Sequence, residues 1–225
     1  SSDLLNIPLL YWAAEITGDI KYRNAAKRHY ETACSYVIRE DASAYHTFYF
    51  DLETGAPLKG VTRQGYSDDS AWARGQAWGI SGIPLNYRYT KDEDAFHLFK
   101  GMTNYFLNRL PEDDICYWDL IFGDGSGQSR DSSAAAVAVC GIHEMMKYLP
   151  ETDEEKETYR RAMHGILRSL IHGYVNPDRH PGAPILLHGV YSWHSGKGVD
   201  EGNIWGDYFY MEALLRFYKD WQLYW

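Results

Sequence analysis

Residues Gln64 to Trp78 read QGYSDDSAWARGQAW, and the way this stretch is built decides the fold class. A polar loop with Gly, Ser and two Asp runs straight into a helix of small and aromatic residues. Arg74 and Trp78 are four apart on that helix and share one face, with Ser70 one turn earlier; Gln76 lies four beyond Trp72. A buried Arg needs an anionic partner, which here is Asp68, Asp69 or the carboxylate of a bound sugar. Trp72 and Trp78 either stack on a pyranose ring or fill the core. Asp69 or Ser70 is the natural N-cap, since a side-chain oxygen there accepts from an orphan N–H. Together these features read as part of a carbohydrate-binding cleft in an all-α protein.

The same arrangement recurs outward in both directions. LLNIPLLYWAAEITGD (Leu4 to Asp19) is followed by IKYRNAAKRHYETACSYVI (Ile20 to Ile38). DDSAWARGQAWGISGIPLNYRYTKD is followed by EDAFHLFKGMTNYFLNRL, and RDSSAAAVAVCGIHEMMKYLPET by DEEKETYRRAMHGILRSLI. GDYFYMEALLRFYKDW ends the series near the last residue. The first helix of each pair is apolar on most sides and belongs inside. The second has one apolar face, as Tyr159, Met163 and Ile166 show. Asp131 or Ser132 caps the third inner helix. Repeated pairs with buried inner helices predict a closed α/α toroid, spanning 1–225 as one domain. Its centre is lined by the loops before the inner helices. HTFYF (His46 to Phe50) and ICYWDLIF (Ile115 to Phe122) are candidate short strands on the rim.

Composition narrows the function classes. The 225 residues are 45% hydrophobic, enough for a packed core. Aromatics make up 16%, with 19 Tyr and 8 Trp, residues that suit half-wet clefts around sugar rings. A net charge of −9 argues against a nucleic-acid surface, which wants a basic stripe. An anionic ligand remains accessible to a few focused cations. Three cysteines, Cys34, Cys116 and Cys140, give no disulfide framework, and Cys140 reads as a core residue. No stretch has transmembrane length and no membrane partner is expected; no signal peptide is visible, which says little about location because the chain begins abruptly inside a helix-like stretch. The cytoplasm is the expected compartment, with the periplasm as the alternative.

Other constellations are weaker. His143-Glu144 lacks the second His of the zinc signature, with Lys147 in its place, so no metal is expected there. GDGSG (Gly123 to Gly127) lacks the Lys-Ser/Thr of a phosphate loop and reads as a turn. His46 is a rim hydrogen-bonder or an exposed histidine. Ser192, Ser195 and Lys197, in SWHSGKG, put two hydroxyls and an ammonium in one short loop, which suits a sulfate or phosphate. An ordinary Gly-rich turn is the alternative.

At these residues the sequence resembles the unsaturated glucuronyl hydrolases, glycoside hydrolase family 88. The likeness runs through LLNIPLLYWA, TGD, HTFYF, GVTRQGYSDDSAWARGQAWGI, YWD, RDSSAAAVA and IWGDYFYMEALLRFYK. It implies an (α/α)6 barrel, of which this chain holds about four of six helix pairs. It implies an enzyme that removes the 4,5-unsaturated uronic acid from the non-reducing end of glycosaminoglycan fragments such as those of chondroitin, hyaluronan or heparin. His46, Gln64, Trp72, Arg74 and Trp78 match positions around the unsaturated uronate. Ser192, Ser195 and Lys197 match the Ser-x-x-Ser-x-Lys pattern of members that accept sulfated disaccharides. The implied chemistry needs one carboxyl and no cofactor or metal. The carboxyl protonates C4 of the vinyl ether, positive charge develops at C5, water adds there, and the hemiketal opens.

Two departures leave alternatives open. The family's acid/base Asp falls four residues before Asn6, where Ser2 stands; Asp3 is three before, and one residue of slip rotates a helical side chain by about 100°. Asp3 is the candidate acid/base, with an altered start or an inactive, glycan-binding site as alternatives. The family's N-terminal third has no counterpart, and a toroid short of two pairs exposes inner helices at a cost on the order of tens of kcal/mol. A companion segment, or a longer parent protein, is therefore expected. A related activity, unsaturated rhamnogalacturonyl hydrolysis, is disfavoured by the Ser192, Ser195 and Lys197 loop.

Overall fold

The computed structural model describes residues 3–178 and 180–223, so Ser2 lies outside the described residues. Four inner helical segments stand side by side. The first is a short helix α1 (Asp3–Asn6) continued by α2 (Pro8–Thr17); the others are α4 (Ala73–Thr90), α6 (Ser132–Met146) and α8 (Ile204–Tyr218). Outer helices α3 (Ile20–Val37), α5 (Asp94–Leu107) and α7 (Lys156–Ser169) each fold back on the inner helix before them. α7 runs on into one π-helical turn, Leu170–Tyr174. Among the described residues the result is an arc of an α/α barrel: three complete hairpins and the inner helix of a fourth.

Local chemistry sets the helix ends. Pro8 starts α2, where its missing N–H costs nothing, and Gly18 closes it at φ +69° with its N–H on Ala14 O. Asp19 caps α3 by accepting from Lys21 N. Asp131 caps α6 by accepting from Ala134 N, as its sequence position implied. α4 differs. Its cap is Trp72 without a side-chain bond, not Asp69 or Ser70. The reason is that Ala71–Ala73 pair with the strand-like run Trp118–Leu120: Ala73 N donates to Trp118 O and Leu120 N to Ala71 O. The first N–H of α4 is thus satisfied by backbone.

Two short antiparallel hairpins decorate the rim. β1 (Thr47–Phe50) pairs with β2 (Pro57–Val61), and β3 (Gly189–Ser192) with β4 (Lys197–Glu201). HTFYF thus supplies a strand. ICYWDLIF makes only isolated bridges, Trp72 with Asp119 and Tyr117 with Arg130.

The core lies where α4, α6 and α8 meet, and glycines permit the approach. Pro84 sits inside α4 and cannot donate to Ile80 O. α6 crosses there with Gly141, where an added Cβ would lie 2.6 Å from Ile80 O and 2.6 Å from Ser81 Cα. Both contacts are backbone and cannot move aside. Gly141→Ala should therefore lower stability by about 1–3 kcal/mol or more, read from the urea midpoint. Gly82 does the same for α1: a Cβ there would meet Leu4 C at 2.5 Å, and Asn86 Nδ2 donates to Leu4 O. This contact fixes the helix that carries Asp3. At the two ends of the arc the inner helices are bare. Trp12 and Ile16 of α2 and Ile204 and Tyr208 of α8 are exposed, and a cavity of about 310 Å³ between them is lined by Leu5, Leu9, Tyr208 and Phe209.

Candidate functional site

The loop before α4 is shaped by a buried acid that sequence reasoning did not single out. Asp119 is 0% exposed. Its Oδ2 accepts from Tyr66 N (2.8 Å) and Ser70 Oγ (2.7 Å), and its Oδ1 from Ile121 N (3.1 Å). Those donors compensate its loss of water. The signal was present: an acid inside the apolar run ICYWDLIF calls for such partners. Asp68 Oδ1 accepts from Thr62 N, which turns the loop back on itself.

Arg74 pairs with an acid other than the two that the sequence offered from its own loop. Neither Asp68 nor Asp69 pairs with it. Its Nη1 reaches Asp131 Oδ2 at 2.6 Å, with the two side chains 3% and 0% exposed. Asp131 lies at the start of the next inner helix, so the α4–α6 packing brings the charges together. Arg74 also donates to Val190 O and, through Nη2, to Tyr191 O. Its guanidinium lies between Trp72 (4.5 Å) and Trp205 (5.1 Å). Arg74 thus ties two inner helices to β3.

Trp72 is largely covered, by His46 on one side (ring centroids 4.7 Å) and by Arg74. It is 6% exposed, so it acts mainly as packing. Trp78 stays half-buried, edge-on to Phe209 of α8. His46 is a hydrogen-bonder: its Nδ1 accepts from Arg63 N (2.9 Å) and Gln64 N (3.3 Å). That fixes a neutral ring with the proton on Nε2. Burial, helped by the Arg74 and Arg63 charges, pushes its pKa down to about 4. A folded pKa below the unfolded value means stability is full above about pH 6.5 and is lost as pH falls towards 4. Protonation would also remove the acceptor that holds Gln64. The unfolding free energy of His46→Gln should therefore fall less between pH 7 and pH 5 than that of the unsubstituted protein. His143, also pushed down to about 4, contributes the same sign in both.

Asp3 and His46 line one cavity of about 270 Å³, together with His29, Thr47 and Phe48. Asp3 Oδ1 lies 3.8 Å from His29 Nε2 and is open to solvent. The cavity adjoins the Gln64 wall through His46. Ser192, Ser195 and Lys197 do not line it. They sit on β3, its turn and β4, with Ser192 paired opposite Lys197 and Ser195 Oγ donating to Ser192 O. Lys197 is exposed and forms no ion pair among the described residues. The Gly-rich segment is therefore an ordered hairpin. Sequence reading missed its supports, Trp193 and His194. Trp193 stacks on buried Trp118 at 4.9 Å and 8°, and His194 Nε2 lies 2.6 Å from Gly65 O.

His143 and Glu144 serve structure. Glu144 accepts from Arg216 (2.7 Å), Lys147 (2.8 Å) and the Tyr148 hydroxyl (3.0 Å), at the far ends of the inner helices from this loop cluster.

Comparison with known proteins places this arrangement. The chain is 71% identical over 222 residues to the unsaturated chondroitin disaccharide hydrolase of Streptococcus pyogenes serotype M1, covering 99% of this chain and 56% of that protein. The crystal structure of unsaturated glucuronyl hydrolase from Streptococcus agalactiae superposes with a TM-score of 0.93 at 70% identity, over 100% of this chain and 60% of that one. A mutant of that enzyme complexed with dGlcA-GalNAc6S gives the same score and identity over 59% of its length. The chain spans a little over half the length of the curated relatives it matches. The profile of Glycosyl Hydrolase Family 88 matches residues 3–178, and the chain belongs to that family.

Proposed function

We propose that this protein hydrolyses glycosaminoglycan oligosaccharides ending in a 4,5-unsaturated uronic acid, with sulfated unsaturated disaccharides among its substrates. The observation that carries this reading is the junction of three features at one end of the inner helices. These are the Asp3–His46 cavity, the Gln64 wall and the hairpin bearing Ser192, Ser195 and Lys197. A related enzyme crystallised with dGlcA-GalNAc6S supports the ligand class. Three free cysteines suit a reducing cytoplasm.

In this reading Asp3 delivers a proton to C4, and water adds at the cationic C5 with the same carboxylate taking its proton. The hemiketal opens and frees the neighbouring sugar. Gln64 and His46 hold the uronate, and Trp78 gives it an apolar side. Trp72 and Arg74 keep that wall in shape. Lys197, Ser192 and Ser195 receive the sulfate.

The test follows the ultraviolet absorbance of the C4–C5 double bond on unsaturated chondroitin disaccharides. Absorbance should fall with the protein present. Lys197→Ala should lower kcat/KM for the sulfated disaccharide about tenfold, the worth of one charge-assisted hydrogen bond, and leave the unsulfated one near its original value. A steady absorbance with tight ligand binding would instead identify a glycan-binding protein.

A further inference from the structure

The hairpin carrying Ser192, Ser195 and Lys197 is held at two levels. At its base Arg74 donates to Val190 O and Tyr191 O. At its tip, Trp193 lies flat on Trp118, which is 0% exposed, and His194 Nε2 meets Gly65 O at 2.6 Å. Gly65 is itself locked. Its N donates to Thr62 Oγ1 at 2.7 Å, and a Cβ there would lie 2.6 Å from that oxygen and 3.0 Å from Asp119 Oδ2. Its carbonyl therefore has a fixed direction, and it belongs to the residue directly after Gln64. The acceptor is a carbonyl, so His194 must be the donor, with its proton on Nε2.

We infer that His194 is a positioning residue for substrate selectivity: by donating to Gly65 O it clamps the hairpin of Ser192, Ser195 and Lys197 at a fixed distance from the Gln64 wall. The clamp touches neither sugar. It sets the span between the group that holds the uronate and the group that holds the anion on the next sugar. The Gln64 wall has supports of its own, since Asp119 holds Tyr66 N and His46 holds Gln64 N. Among the described residues, the turn of the hairpin reaches the rest of the protein through Trp193 and His194. Loss of the His194 bond therefore loosens the anion side alone. This inference rests on the function proposed above.

The experiment compares His194→Phe, which keeps a flat ring without a donor, with His194→Gln, which restores an N–H donor. For dGlcA-GalNAc6S, His194→Phe should raise KM about tenfold with kcat little changed, while KM for the unsulfated disaccharide moves less than about twofold. His194→Gln should recover most of the loss. Amide exchange at Ser195 to Gly198 without ligand should quicken in His194→Phe and return towards normal in His194→Gln. Unchanged KM and exchange in His194→Phe, or an equal loss on both disaccharides, overturns the inference. If the unsubstituted protein turns over neither disaccharide, the proposed activity fails, and the exchange contrast still decides whether His194 clamps the hairpin.

Discussion

Asp131→Ala should cost about 3–5 kcal/mol of stability, the largest loss of any single substitution considered, because it leaves a buried guanidinium without its carboxylate. Asp131 does three things at once. Its Oδ2 pairs with Arg74, its Oδ1 accepts from the Ser133 hydroxyl, and it caps α6 through Ala134 N. Arg74 in turn holds β3, so the damage spreads from the inner helices to the rim. Guanidinium unfolding should show a lower midpoint with little change in slope. Asp131→Asn keeps the cap and one acceptor and should lose less. The double substitution Arg74→Met with Asp131→Leu should recover part of the loss, because two apolar groups no longer leave a lone charge. Equal destabilisation by the single and double changes would show that the cap, not the ion pair, is the greater part.

Asp3→Asn should lower kcat by about 10²- to 10⁴-fold while leaving the unfolding midpoint within experimental scatter. The stability half follows from position. Asp3 is exposed in the first turn of α1, and its helix is held by Leu4, which is 1% exposed, and by the Asn86 bond to Leu4 O. The kinetic half follows from the proposed role: an amide at that place cannot protonate C4. His29→Gln is the useful companion. Its ring lies 3.8 Å from Asp3, so its removal should lower turnover far less than Asp3→Asn does. An Asp3→Asn protein with full activity would move the acid/base function elsewhere.

Much of this fold was legible in the sequence because helical periodicity is local. Outer helices such as Asp94–Leu107 and Lys156–Ser169 declare themselves by one apolar face, and Asp131 by its place before SSAAAVAV. The site was legible in its parts but not in its connections. Arg74 plainly needed a carboxylate, and the near choices were Asp68 and Asp69. The true partner is 57 residues further on, because the packing of α4 on α6 sets it. Trp72 read as either a sugar platform or a core residue, and its 6% exposure beside the bridge to Asp119 is set by a run far along the chain. The β3–β4 hairpin was hidden for a similar reason. SWHSGKG has the composition of a flexible turn, and what orders it is Trp118, Gly65 and Arg74, far away in the chain.

These connections also separate two jobs within the stretch Gln64 to Trp78. Gln64 and Trp78 remain at the wet surface, while Trp72 and Arg74 are buried behind them. Substitution of the buried pair should therefore change stability first and substrate binding second.

The most direct test of the site is the footprint of its ligand. Amide hydrogen exchange of the Asp3→Asn protein should be measured with and without saturating dGlcA-GalNAc6S. The expected result is slowed exchange at Tyr45–Phe48 beside the Asp3 cavity, at Arg63–Tyr66 and at Gly189–Glu201, the loop held by His46 and the hairpin held by Arg74 and His194. Protection centred instead on the bare faces of α2 and α8, or no protection at all, would contradict the assignment of this loop cluster as the sugar site.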